Sequence, residues 1–105
     1  EMIDDKDQMA LALRKAFNNG RLESMVFTLF DDGCAIGFAT IRGDFHHHAD
    51  EDGCYLGSPD TLFRLDYRNI CEMRYDEMSD GVNITVLSNG GGRLEIDYYY
   101  KESDK

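Results

Sequence analysis

The sequence predicts a mainly β, α+β fold: an N-terminal helix packed on a strongly bent antiparallel sheet or small barrel of six to seven strands. Three observations carry that expectation. Apolar residues recur at helical spacing before Gly20 and with a period of two after it. Valine, isoleucine, threonine and aromatic residues gather in short runs, as a pleated, half-buried surface requires. Glycine, asparagine and aspartate punctuate those runs where hairpins must turn. The 105 residues, 42% of them hydrophobic, suit one domain spanning 1-105 with one core.

The helix is expected at about 6-18. Asp4 or Asp5 serves as N-cap, and Met9, Leu13, Ala16 and Phe17 form the apolar stripe. Arg14 and Lys15 suit the carboxyl end, and Asn19-Gly20 supplies the stop. Antiparallel β structure follows over about 22-101. Residues 22–30 and 34–42 read as a hairpin turned at Asp32-Gly33, and Gly37 permits a bulge or the sharp bend of a barrel corner. Pro59 breaks the pattern at 57–60 because it has no ladder donor. Phe63 and Leu65 then point inward, "YRN" turns, and Cys71, Met73 and Tyr75 alternate with Glu72, Arg74 and Asp76. Ser79-Asp80-Gly81 leads into a last hairpin, with Val82, Ile84 and Val86 before the Asn89–Gly92 turn and Leu94, Ile96, Tyr98 and Tyr100 after it. The tail at 102-105 is expected to fray.

"LRKAFNNGRLESMVFTLFDDG", the strand containing Gly37, and "LFRLDYRNICEMRY" together resemble small bacterial Sm-like or SH3-like barrel modules such as the YolD-like proteins. The resemblance covers roughly residues 10–75 and is one of pattern, without a diagnostic motif. It implies a non-enzymatic accessory or adaptor domain, and no functional residue carries over from it.

Charge narrows the partner. With 21 acidic against 11 basic residues the net charge is −10, which opposes nucleic-acid binding, since that affinity comes largely from Lys and Arg displacing counterions. A protein with a basic surface fits better. Three cysteines without paired metal spacing indicate neither a disulfide framework nor a zinc ribbon, so a reduced, cytoplasmic setting is expected. No apolar run approaches the roughly 18 residues of a membrane span.

"FHHHADEDGC" brings imidazoles, carboxylates and a thiol together, a donor set suited to zinc or another transition metal. On a strand adjacent histidines face opposite ways, so only His46 and His48 converge. Whether Cys54 joins them depends on register. A two-residue loop at Asp52-Gly53 pairs Glu51 with Cys54 and sends Cys54 to the side of His47. A three-residue loop pairs Asp50 with Cys54 and sets His46, His48, Asp50 and Cys54 on one face. With no Lys or Arg between Arg42 and Arg64, the region is expected to raise the histidine pKa values. The other reading of the stretch is a solvated, polar hairpin tip.

Catalysis finds little support. Surrounding acids should raise the Cys54 thiol pKa, and Cys34 and Cys71 sit in patterns typical of small core residues. "SNGGGR" lacks the helix and Lys-Ser/Thr of a phosphate loop and reads as a hairpin turn. Tyr99 should project outward on what reads as an edge strand, offering a protein contact or a dimer by sheet extension. Asp50, Glu51 and Asp52 with Glu72, Asp76, Glu77 and Asp80 form a candidate anionic surface. The leading expectation is therefore a non-catalytic, acidic protein-interaction or regulatory module of bacterial or phage type, an accessory, inhibitor or immunity-like protein for a basic partner. The alternative is a metal-binding protein using the His46–Cys54 hairpin.

Overall fold

The computed structural model describes residues 2–18 and 20–102. Asn19 of the expected helix stop and residues 103–105 of the expected frayed tail lie outside them. The order is β1 (Met2–Ile3), α1 (Lys6–Phe17), β2 (Leu22–Asp31), β3 (Cys34–Ile41), β4 (His46–Ala49), β5 (Gly53–Ser58), β6 (Thr61–Asp66), a 3-10 turn (Tyr67–Asn69), β7 (Ile70–Met78), β8 (Gly81–Ser88) and β9 (Arg93–Tyr100).

The helix forms where its caps allow. The Asp5 side chain accepts a hydrogen bond from the Gln8 amide, and Asn18 adopts the left-handed conformation at φ 41° that closes the last turn. Met9, Ala12, Leu13 and Ala16 are buried along one face. The β2–β3 hairpin turns at Asp32 and Gly33, both at positive φ, as a two-residue primed turn demands.

The expectation of a strongly bent sheet or small barrel is overturned. All pairing is antiparallel, but the strands form two open sheets, one in the order β1-β7-β8-β9-β2-β3 and the other β4-β5-β6. The Sm-like or SH3-like resemblance falls with the barrel, because among the described strands β3 pairs with β2 on one side and with none on the other. Between Leu29 and Phe30 the β3 register slips by one residue, so the bulge falls at Ile36, next to Gly37, and makes no closing corner. Beyond Ile41 the chain leaves the large sheet through residues 42–45, with Asp44 at φ 50°, and β4 begins a second sheet.

The two sheets meet face to face. In the large sheet Tyr75, Ile84, Ile96, Phe27 and Ala39 form one cross-strand row on the inner face, with Met73, Val86, Leu94, Leu29 and Gly37 as the next. Cys54, Leu56, Phe63 and Leu65 answer from the small sheet, and the Phe27 and Phe63 rings stack at 4.3 Å. Such a pair contributes about 1 kcal/mol beyond its buried area. Helix α1 packs against β4, β8 and the 3-10 turn, and the Tyr100 hydroxyl donates to the Ala16 carbonyl at 2.7 Å.

At Gly81 the chain passes so close to the Tyr98 carbonyl that an added Cβ has no room. Gly81→Ala is therefore expected to force β8 and β9 apart and lower stability by on the order of 3 kcal/mol. Urea denaturation reads this directly.

Candidate functional site

The expected metal site turns on the β4–β5 register, which is neither of the two expected loops. Ala49 pairs with Cys54, and the Asp50 amide donates to the Gly53 carbonyl at 2.9 Å, so the two-residue loop is Glu51-Asp52. This register separates the four expected ligands. His46 and His48 are exposed on the outer side, whereas Cys54 shares the inner side with His47 and is fully buried.

Asp50 is committed elsewhere. Its carboxylate accepts hydrogen bonds from Arg64 at 3.0 and 3.4 Å and from the Asp52 and Gly53 amides at 2.9 Å each. The Arg64 hydrogen bond, then those amides, hold the Asp50 pKa down to about 2. Among the described residues no group of three or more His, Cys, Asp or Glu side chains is placed to hold a metal ion.

The histidines also titrate against expectation at one position. His47 is half-buried, its ring stacked on Phe17 at 5.1 Å, and its pKa is lowered, first by burial and then by the charge of Arg14. A run of nearby acids does not outweigh desolvation and a helix-borne guanidinium. The Cys54 thiol is pushed up to about 12, with burial as the leading cause and the Asp50 charge a minor contributor. Cys34 and Cys71, expected in the core, are exposed, and Cys71 sits where the β7–β8 register slips.

Tyr99 is also misplaced by the sequence reading. Strand β9 lies between β8 and β2, so Tyr99 is on an interior strand and its edge-pairing role is excluded. Its ring projects from the outer face of the large sheet, 37% exposed, and the Asp97 charge leads in raising its pKa. The true long edge is β3, where Phe38 is 78% and Ile36 68% exposed.

That outer face carries the strongest side-chain constellation. Asp76, Asn83, Asp97, Val26 and Thr40 form one row across five strands, beside Arg74, Thr85, Glu95, Thr28 and Phe38. None of these ten is buried, because both the helix and the small sheet pack on the opposite face. The Asn83 amide nitrogen donates to Asp97 at 2.7 Å and Glu95 at 3.3 Å, while its carbonyl accepts from the Thr85 hydroxyl at 3.2 Å. Arg74 is hydrogen-bonded to Glu72 and Arg93 lies 3.5 Å from Glu95. Asp76 and Asp97, flanking Asn83, form no salt bridge among the described residues.

Of the expected acidic surface, Glu72 and Asp76 belong to this face, Glu77 and Asp80 lie at the β7–β8 turn, and Asp50, Glu51 and Asp52 stand on the small sheet. The two clusters therefore do not share one sheet surface. Glu95, Asp97 and Asn83 went unremarked in the sequence, although their alternation with Leu94, Ile96 and Ile84 signals them. No family model, no curated protein and no solved structure matches the chain. Among the described residues no helix is long and apolar enough to cross a membrane.

Because the folded-state pKa of His47 lies below its ordinary 6.5, the unfolded chain takes up the proton first as pH falls. His47 thus stabilises the fold above pH 6.5 and loses that contribution as pH drops toward its folded pKa. His47→Phe keeps a ring against Phe17 and removes a buried, unpartnered Nε2. It is expected to flatten the decline in Tm just below pH 6.5, as thermal melts across that range will read.

Proposed function

We propose that the protein is a non-catalytic interaction module, working in the cytoplasm, that binds a basic protein surface on the outer face of its large sheet. One observation carries this reading: Asn83 holds the carboxylates of Glu95 and Asp97 in fixed positions on a face that no described helix or strand covers, with Asp76 on its other flank. Carboxylates ordered by a neighbouring amide meet a guanidinium or ammonium group with little further ordering cost.

Tyr99 adds an amphipathic ring beside Asp97, the kind of residue that concentrates binding energy at interfaces. The −10 net charge accelerates encounter with a basic partner and repels nucleic acid. Exposed free thiols at Cys34 and Cys71 suit a reducing compartment. An accessory or inhibitory role follows if the basic surface covered is itself a working surface.

A Lys/Arg-rich probe peptide titrated into isotopically labelled protein tests the reading. Amide shifts are expected to concentrate on Asp76, Asn83, Glu95, Asp97 and Tyr99, and to shrink with added salt. The Asp76→Asn, Asp97→Asn double variant should bind about tenfold more weakly, or about 1.4 kcal/mol. Shifts spread evenly over every acidic residue, or an unaffected double variant, contradict it.

A further inference from the structure

The open edge at β3 is a second surface, bordering the acidic face at Phe38 and Thr40. Sheet edges with unpaired amides and carbonyls are ordinarily guarded by charge, proline, covering segments or brevity. Among the described residues the two sheets have four edge strands, and three of them follow that rule. Strand β1, itself two residues long, covers Met73 and Arg74 of β7, and the rest of β7 carries Asp76 and Glu77. In the small sheet β4 carries three histidines, and β6 carries Arg64 and Asp66.

β3 differs. Its eight residues, "CAIGFATI", include no proline and no Asp, Glu, Lys, Arg or His. Among the described residues its one guard of this kind is the bulge at Ile36, opposite Leu29 and Phe30. Phe38, the most exposed large apolar residue among those described, lies next to the strand's midpoint.

We propose that β3 pairs antiparallel with β3 of a second copy, joining the two large sheets across a two-fold axis. Charge selects this occupant. An uncharged strand gives a basic partner nothing to recognise, and among the described edge strands the uncharged one of comparable length is β3 itself, the eight-residue uncharged β8 being paired on both sides.

Antiparallel pairing also reverses the ends. The Asp31-Asp32 turn of one copy is carried toward Arg42 of the other, and the contact repeats by symmetry. Asp32 and Arg42 are both exposed, and Arg42 forms no salt bridge among the described residues. A parallel arrangement would set acidic end beside acidic end. Near the axis the two Phe38 rings approach each other, a cross-strand aromatic contact worth roughly 0.2–1 kcal/mol over alanine.

One strand is a narrow seam. It falls short of the roughly 800 Å² per partner of a standard interface, so the dimer is concentration-dependent, not obligate. Dimerisation would place two copies of the Asp76–Asn83–Asp97 row on one continuous sheet face, raising avidity for an extended basic partner.

Sedimentation equilibrium from micromolar to on the order of 1 mM protein, at low and high salt, tests the inference. A monomer–dimer equilibrium is expected, and salt should strengthen it by screening repulsion between two anions of charge −10. Basic-partner binding weakens under the same change, so the two readings can fail separately. Phe38→Lys should weaken the dimer by about tenfold or more, and Arg42→Glu should weaken it by a smaller factor. Both side chains are exposed, so circular dichroism melts should match the parent. A monomer throughout the range, a dimer untouched by Phe38→Lys, or β3 amide shifts with the basic probe peptide in place of self-association overturns the proposal.

Discussion

A six-stranded antiparallel sheet with one apolar face must bury that face, and whatever covers it decides which surfaces remain open. Here the cover is the small sheet and α1, pinned by the Phe27–Phe63 stack and the Tyr100–Ala16 hydrogen bond. Ile84, Ile96, Met25 and Tyr98 are thereby almost completely removed from water. Because both covering elements lie on one side, the opposite face stays open to water along the rows from Asp76 to Thr40 and from Arg74 to Phe38. The acidic row around Asn83 and the β3 edge both exist because the sheet is covered once and never closed.

Much of the local structure was legible in the chain. Asp5 and the Met9–Leu13–Ala16 stripe specify the helix through capping and periodicity alone, while its left-handed cap falls at Asn18 and not at the expected Asn19-Gly20 stop. Asp32-Gly33 and the strict alternation from Val82 to Tyr100 specify their hairpins in the same way. These are short-range signals, carried by residues that contact their own neighbours in sequence.

What was not legible is which strand lies beside which. Alternation reports the face a residue takes, not its neighbour across the sheet, so a barrel and two open sheets share one pattern. The β4–β5 loop shows the same limit at small scale. Asp50 can turn the chain at Glu51-Asp52 because Arg64, fourteen residues away, and two backbone amides fix its carboxylate. Nothing within "HHHADEDGC" announces Arg64, yet that register removes Cys54 from the side of His46 and His48. Tyr99 is the converse case: its outward direction was readable, but the last strand in sequence is an interior strand in space.

Amide hydrogen exchange on dilute protein tests the open, singly covered sheet most directly. The account predicts that β9 amides such as those of Leu94, Ile96 and Tyr98 are among the slowest to exchange, while a subset of β3 amides between Cys34 and Ile41 exchanges fast because its edge is unpaired. Protection along the full length of β3 in the monomer, or fast exchange in β9, would contradict it.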